Sequence, residues 1–252
     1  MSYNKFLTLL LFLRTGGLKG FLNFVLMKNK TFYRPPLTFP IFGLLRHKEE
    51  ILNIRDNIFQ GSIRYPEMEK KLRKASRPVI VDCGINVGVT VRWWFYLNPK
   101  SIVYGIDMMQ EAQDFTITAL SECARKNYIP ITAALASTNN KALEIKYNDP
   151  LFGGNSVEVS KKYMRNKRHI LSSTLDDCLR KYNIKDIDLL KIDIEFSAAP
   201  MLCGASETLK KTKYVLLEWH DAEERKNSVI CMQKAGFIIK KECKRNIWFK
   251  NF

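Results

Sequence analysis

Short apolar runs and amphipathic stretches alternate along the chain from Val79 onward. The apolar runs are rich in Val and Ile, which is typical of strands buried inside a sheet. The pattern predicts strands over residues 79–83, 102–106, 129–135, 142–147, 187–192, 214–217, 237–241 and 247–250.

Helical segments lie between most of these runs. We predict helices over residues 47–57, 68–76, 88–97, 110–126, 174–182, 200–211 and 222–235. Alternating strands and helices indicate an α/β fold with a mostly parallel sheet and helices on both faces. The last two strands are too close for a crossover helix, so they should pair antiparallel. The run over 142–147 reads as an inserted strand, which leaves a seven-stranded sheet with a terminal antiparallel hairpin.

The turn after the first strand is the most informative local pattern. It places Asp82, Gly84, Asn86 and Gly88 at every second position before a helix. A glycine has no Cβ, so the backbone can approach a ligand closely at a helix N-terminus. The spacing lacks the three-glycine pattern of dinucleotide sites. An acid beside the glycines favours a ligand with a cationic amino-acid end, such as S-adenosylmethionine, with the turn against its methionine part.

The second half of such a site is predicted at the end of the second strand. Asp107 closes that strand, about 20 residues after the turn, where an acid accepts hydrogen bonds from ribose hydroxyls. The alternative is that Asp107 only caps the helix that follows. Its pairing with the glycine turn favours the ribose role.

The net charge of +16 is concentrated in the first third of the chain. Residues 1–77 hold 15 Lys or Arg against 5 Asp or Glu, which suggests an anionic partner there. Residues 6–13 and 21–27 are apolar but shorter than the ~20 residues that span a bilayer. No small-residue cleavage site follows the first run, as a signal peptide requires. These segments either pack on protein or lie on an anionic membrane surface.

We divide the chain into three parts. Residues 1–40 form a basic, partly hydrophobic extension, 41–78 a helical lead-in, and 79–252 the S-adenosylmethionine-binding domain. The six cysteines are scattered and only three histidines are present, which argues against a zinc site. We expect a reduced, cytoplasmic protein, with peripheral membrane attachment as the open alternative.

Several motifs resemble those of one family, the FkbM-type methyltransferases, over roughly residues 55 to 220. The most specific signal is Lys191-Ile-Asp-Ile-Glu195 with an upstream Thr-Leu-Asp-Asp. The matching segments are residues 81–88, 133–137, 153–157, 173–177, 188–195 and 204–205.

This resemblance implies a class I methyltransferase (Rossmann-like) fold and methyl transfer from S-adenosylmethionine to an oxygen. Family members commonly act on hydroxyls of sugars, glycans, glycolipids or polyketide products. Three departures stand out. Ile85 replaces an alanine, and Asp107-Met108 replaces Glu-Pro. Phe196 and Ala198 stand where the family has glycine and glutamate, which either reshapes the acceptor pocket or weakens activity.

Methyl transfer to a hydroxyl requires alignment of the acceptor and a base for its proton. Candidates at strand ends are Asp193, Glu195 and His220, where His220 is alternatively a structural residue. Glu195, Glu218 and Asp193 could instead hold a divalent ion, which we do not favour. Ala133 and Ala134 follow the third strand, and we expect them to line the adenine pocket.

Two rival functions stay open at this point. The positive charge prompts a nucleic-acid methyltransferase, yet no Asn/Asp-Pro-Pro-Tyr motif or RNA-binding module is present, so nucleic acid is an unlikely partner. The departures near Phe196 and Pro200 prompt a binding protein that keeps the fold and has lost the chemistry. The sequence favours a glycan or small-molecule acceptor and leaves the oligomeric state undetermined.

Overall fold

The structure is a computed structural model that describes residues 47–59, 61–156 and 165–252. The predicted N-terminal extension, residues 1–40, and its membrane or partner role lie outside the described residues. Two compact units meet between Pro66 and Glu67. The division at residue 79 stays a prediction.

The described part of the first unit is mostly helical. An α-helix over Lys48–Asn53 is followed by a π-helix over Ile54–Phe59, where a single helix over 47–57 was predicted.

The α-helices of both units, within the described residues, are α1 (Lys48–Asn53), α2 (Pro66–Lys74), α3 (Val89–Leu97), α4 (Gln110–Ala119), α5 (Glu122–Arg125), α6 (Leu175–Arg180), α7 (Ala198–Cys203), α8 (Ser206–Lys210) and α9 (Ala222–Lys234). Among the described helices, none has the length and apolarity that crossing a bilayer requires.

The second unit is built on strands that mostly lie at predicted positions. They are β1 (Val79–Cys83), β2 (Ile102–Asp107), β3 (Tyr128–Thr132), β4 (Ala134–Leu135), β5 (Ala142–Tyr147), β6 (Asn166–Ser173), β7 (Ile187–Ile192), β8 (Thr212–Glu218), β9 (Phe237–Cys243) and β10 (Asn246–Asn251). Within the described residues, seven of them form one sheet in the order β3-β2-β1-β7-β8-β10-β9. β10 is antiparallel to both β8 and β9, and the other pairs are parallel. The predicted α/β class and the antiparallel ending are confirmed.

A second, smaller sheet has the order β4-β6-β5. The sequence analysis predicted β5 as an insertion but missed β6, its antiparallel partner. β6 begins with Asn-Lys-Arg-His and is mostly exposed, so it lacks the apolar run on which the other assignments rested. Arg168 of β6 donates two hydrogen bonds to the Glu111 carboxylate of α4, from Nη1 at 2.9 Å and from Nη2 at 2.6 Å. These bonds connect the smaller sheet to α4.

Three predicted elements are each broken in two. The predicted helix over 110–126 ends at Ala119, and Ser121 caps a second short helix by accepting a hydrogen bond from the Ala124 N–H. The predicted helix over 200–211 is interrupted at Gly204. The predicted strand over 129–135 is interrupted at Ala133, where the chain passes from one sheet to the other.

The core of the second unit lies on the central strands. Val81, Leu190, Val215 and Leu217 have no exposed surface. Burial of each such side chain contributes about 1.5–3 kcal/mol to folding. Helix α3, which follows its N-cap Gly88, is buried along almost its whole length, tryptophans included. The carboxyl ends of β1, β2, β7 and β8 are therefore held at one rigid edge.

Candidate functional site

Polar side chains meet at the carboxyl ends of four neighbouring strands. β1 lies between β2 and β7, and β8 follows β7, so the residues after these strands share one edge of the sheet. Asp107 ends β2, Asp193 follows β7, and His220 comes two residues after β8. Open parallel sheets bind their ligands at such an edge.

The glycine turn after β1 packs closely against the chain after β7. Gly84 has a φ of +79°, and a Cβ there would overlap the carbonyl oxygen of Asp193 and lie 2.7 Å from its carbonyl carbon. At Gly88, with φ +68°, a Cβ would lie 2.6 Å from Thr116 Cγ2. Neighbouring protein atoms therefore leave no room for a Cβ at either position, and both must be glycine. From the sequence, the close approach of a ligand was the predicted reason for these glycines.

The two predicted halves of the cofactor site are hydrogen-bonded to each other. The backbone N–H of Asn86 donates to Asp107 Oδ2 at 3.0 Å, and that of Met109 donates to Oδ1 at 2.9 Å. Burial raises the pKa of Asp107 to about 6, although these two donors act to lower it. Asp107 is thus mostly ionised at neutral pH and keeps lone pairs that can accept further hydrogen bonds.

A buried lysine joins β1, the glycine turn and β7. Lys191 Nζ lies 3.1 Å from Asp82 Oδ1 and 3.2 Å from Asp193 Oδ2, and it donates to the Gly84 carbonyl at 2.8 Å. Its side chain is 2% exposed. Burial acts to lower the pKa of Lys191, but the carboxylates of Asp193 and Asp82 outweigh it and raise the pKa. We call Lys191, Asp82 and the Gly84 carbonyl the buried anchor.

Asp82 has a different role from the one predicted. It was expected beside the cationic end of the cofactor, but its side chain has no exposed surface. Its Oδ2 accepts hydrogen bonds from Thr90 Oγ1 and Trp94 Nε1, both at 2.7 Å, and its Oδ1 faces Lys191. Asp82 therefore ties helix α3 to the turn and reaches a ligand only through the backbone that it holds.

The two predicted adenine-lining residues differ in their surroundings. Ala133 donates its N–H to the Asp107 carbonyl at 2.9 Å, so it lies beside the second strand end. Ala134 pairs with Ser172 in the smaller sheet and is 3% exposed. Their contact with a cofactor stays a prediction, for which Ala133 is the better placed.

The three predicted catalytic residues come together around the His220 imidazole. His220 Nε2 lies 3.4 Å from Glu195 Oε1 and 3.8 Å from Asp193 Oδ1. On the other side of the ring, Nδ1 lies 3.2 Å from Glu224 Oε2. Asp193 and Glu195 are about one quarter exposed, whereas His220 and Glu224 are 5% exposed. We call these four residues the acid–histidine cluster.

Charge in this cluster favours a protonated imidazole. Burial acts to lower the pKa of His220, but hydrogen bonds to Glu195 and Glu224 and the charge of Asp193 raise it to about 10. Burial and the nearby Asp193 carboxylate raise the pKa of Glu218 to about 8. At neutral pH the His220 imidazole therefore keeps its proton, and the Glu218 carboxyl is mostly in its neutral form.

A metal ion has one conceivable position among the described residues. One ligand atom from each of Asp193, Glu218 and His220 lies within 4.8 Å of the others. This set differs from the predicted alternative because His220 takes the place of Glu195. An imidazolium has no lone pair for a metal, so metal binding would first have to displace its proton.

Phe196 borders the acid–histidine cluster in an unusual backbone conformation. Its φ is +59°, a left-handed value that few residues other than glycine, Asn and Asp adopt without strain. The ring centroid lies 5.4 Å from that of His220, with the planes tilted by 46°. A bulky residue thus occupies a backbone position suited to glycine.

Lys191 and Glu224 are the members of the site that the sequence analysis did not assign. Lys191 was visible as a lysine between apolar residues of a predicted strand, a pattern that indicates a buried partner of opposite charge. Glu224 gave no such signal, since acids are common in the first turn of a helix. Its Oε1 also accepts the Ala198 N–H at 3.0 Å, so it fixes the start of α7.

Comparison with known proteins identifies the family. Residues 82–244 match the methyltransferase FkbM domain, which is more than half of the chain. The chain is also 23% identical over 162 residues to the 2-O-methyltransferase NoeI of Sinorhizobium fredii. That match covers 58% of this chain and 65% of NoeI, so it spans less than two thirds of the relative.

Solved structures with partial similarity include two methyltransferase-related proteins. Aeropyrum pernix fibrillarin, in complex with S-adenosyl-L-methionine, is 12% identical with a TM-score of 0.46 and coverage of 70% of this chain and 67% of its own. Precorrin-6y C5,15-methyltransferase of Geobacter metallireducens is 10% identical with a TM-score of 0.43 and coverage of 73% and 83%. The fold class itself rests on the strand order of this chain.

Proposed function

This chain belongs to the FkbM family of S-adenosylmethionine-dependent methyltransferases, and we propose that it methylates a hydroxyl oxygen of a sugar, glycan, glycolipid or related small molecule. One observation carries the proposal. Asp193 has one carboxylate oxygen bound to Lys191 and the other 3.8 Å from His220 Nε2, on a side chain that is one quarter exposed. The name of the relative, a 2-O-methyltransferase, supports oxygen as the acceptor atom.

The cofactor site is proposed at the glycine turn and Asp107. S-adenosylmethionine supplies an electrophilic methyl group on a positively charged sulfur. Asp107 fits its ribose because both carboxylate oxygens keep acceptor capacity after binding the N–H groups of Asn86 and Met109. The turn at Gly84 is fixed from behind by Lys191, so the backbone that faces the ligand is preorganised.

We assign Asp193 Oδ1 as the base that accepts the proton of the acceptor hydroxyl. His220 was a candidate for this base, but with a pKa near 10 it already holds a proton at neutral pH. Asp193 Oδ1 lies 3.8 Å from His220 Nε2, beyond hydrogen-bond distance, so it is free to accept a proton as the new C–O bond forms. His220 then holds Glu195 and balances the charge of the carboxylates.

Asp193→Asn and His220→Gln variants test these roles. We expect turnover with a panel of free and lipid-linked sugars to fall about 10²- to 10⁴-fold, since Asp193→Asn removes the proposed base and His220→Gln removes the cation beside it. Binding of S-adenosylhomocysteine, measured by calorimetry, should be unchanged. Asp107→Ala should instead lose S-adenosylhomocysteine binding, because Asp107 is the proposed ribose contact.

Asp188→Asn is the matched control, since Asp188 lies near the amino end of the same strand and contacts Val79 N and Lys213. Its turnover should match that of the wild type. Full turnover by Asp193→Asn would remove the assigned role. A folded wild type that does not bind S-adenosylhomocysteine would contradict the proposed activity as a whole.

The pH profile separates the two candidate bases. If Asp193 accepts the proton and His220 must be protonated, kcat should fall as pH rises toward 10, since the pKa of His220 is about 10. If neutral His220 were the base, kcat would rise over the same range. The profile of His220→Gln, which has no imidazole, provides the baseline.

A further inference from the structure

The Phe196 ring lies against the imidazole of the acid–histidine cluster. Phe196 directly follows Glu195 in the chain and contacts His220 through its ring. Phe196, Asp193 and Glu195 are all partly exposed, while the side chain of His220 is 5% exposed. Solvent therefore reaches Phe196 and the two carboxylates but scarcely the imidazole.

Neither burial in the core nor backbone geometry accounts for an aromatic ring at this position. The ring remains partly exposed, so it is not a core residue, and the left-handed backbone disfavours any side chain. Strained residues persist where the surrounding structure holds them, and they concentrate at functional sites. The ring is thus best explained by what it offers to a ligand.

We propose that the Phe196 ring is the platform on which the acceptor rests, and that it selects pyranose rings through their C–H face. This inference rests on the proposed function and names the acceptor class for the same site. Aromatic faces carry partial negative charge and attract the weakly positive C–H groups that line one side of a pyranose. A hydroxyl at the rim of the stacked sugar would then lie beside Asp193.

Binding can be measured without knowledge of the natural acceptor. The probe is methyl β-D-galactopyranoside, whose H3, H4 and H5 share one face, and D-mannitol is the open-chain polyol without such a face. Saturation-transfer NMR with S-adenosylhomocysteine present should show transfer to H3, H4 and H5 and little to mannitol. Phe196→Gly should weaken the galactoside Kd by about five- to tenfold, the value of one aromatic contact.

Two further variants sharpen the result. Phe196→Leu keeps an apolar side chain without a π face and should lose most of the same affinity. Phe252→Ala removes a ring that is 95% exposed at the chain end, and it should leave the galactoside signal unchanged. A parallel loss in Phe252→Ala would mean nonspecific stacking and would overturn the inference.

Other outcomes would also overturn it. Equal transfer to mannitol, no response from the galactoside, or an unchanged Kd in Phe196→Gly each exclude the platform. An unchanged Kd together with a lowered pKa of His220 by NMR would assign the ring to a cation–π contact with the imidazolium alone. A measurement of S-adenosylhomocysteine binding separates failure of the platform from failure of the proposed function. If the protein binds S-adenosylhomocysteine but the galactoside tests fail, only the platform is rejected.

Discussion

The buried anchor contacts the acid–histidine cluster through Asp193, a member of the cluster, but the two groups differ in construction. In the anchor, Lys191 and Asp82 are almost completely buried, and their charged atoms contact each other, the turn or helix α3. In the cluster, two of four members are about one quarter exposed, and three carboxylates surround one imidazole. The two charged residues of the anchor, Asp82 and Lys191, also lie within strands, whereas the cluster adjoins the strained Phe196.

This difference indicates that the anchor and the cluster have different roles. A buried charged group with all its partners is rigid, because any movement leaves a charge unpaired in a low-dielectric interior. In the cluster, the partly exposed carboxylates of Asp193 and Glu195 remain within reach of solvent. The anchor therefore sets the position of Asp193, and the cluster sets its chemistry.

The largest expected effect comes from breaking the anchor. Lys191→Met should lower the free energy of unfolding by about 3–5 kcal/mol, because the carboxylate of Asp82 is left buried without its cation. Urea denaturation measures the loss. Adding Asp82→Asn should recover part of it.

Lys213→Met is the control for Lys191→Met. Lys213 also pairs with an aspartate, Asp188, at 3.0 Å, but its side chain is 55% exposed. Loss of an exposed pair should change stability by only about 0–1 kcal/mol. Equal losses in the two lysine variants would contradict the distinction between the anchor and surface pairs.

A second test adds a methyl group to the turn that the anchor holds. Gly84→Ala should destabilise by about 2–4 kcal/mol, since the new Cβ adds a backbone overlap with Asp193 to the penalty of positive φ. Gly236→Ala shares the positive φ, but its nearest contact would be Asn251 Oδ1 at 3.8 Å. It should lose only about 1 kcal/mol in thermal or urea unfolding. A Gly84→Ala loss no larger than that of Gly236→Ala would refute the close approach.

The cluster should make stability depend on pH. The folded pKa of His220, about 10, lies above its unfolded value of 6.5, so the proton stabilises the fold fully below pH 6.5 and ever less toward pH 10. Between pH 7 and 9 the wild type should lose about 2–3 kcal/mol more than His220→Gln does, by urea unfolding at each pH. His169→Gln, at an exposed site, should follow the wild type. Parallel curves for wild type and His220→Gln would show that the imidazole is not held as a cation.

The smallest effect concerns the strain beside the cluster. Phe196→Gly should be more stable than Phe196→Ala by about 1 kcal/mol, because both lack the ring and only alanine keeps a Cβ at positive φ. Differential scanning calorimetry measures the difference. Equal melting temperatures would indicate that position 196 is relaxed in solution.

Much of the fold could be predicted from the sequence because its strands are apolar and its helices separate them. β1, β2, β7 and β10 lie at or within one residue of their predicted positions. β6 could not be predicted in this way, since it is stabilised by pairing with β5 and by the Arg168–Glu111 contact, and its own sequence is polar. Breaks within long helices were missed because a single cap, as at Ser121, decides them.

The same sequence patterns predicted only part of the candidate site. The ends of β2, β7 and β8 identified Asp107, Asp193 and His220, because strand order in an α/β sheet brings these ends together. The protonation of His220 could not be foreseen. It depends on Glu195 and Glu224, which lie 25 residues before and 4 residues after it.

The sequence by itself determined the sheet, the glycine turn and the acids at its edge, since these depend on local apolar patterning and on residues adjacent in the chain. Only the tertiary structure decided that Asp82 supports the turn, that Lys191 holds Asp193, and that His220 is a cation. Those roles come from burial and from charges brought close by the strand order, and no local pattern encodes either quantity.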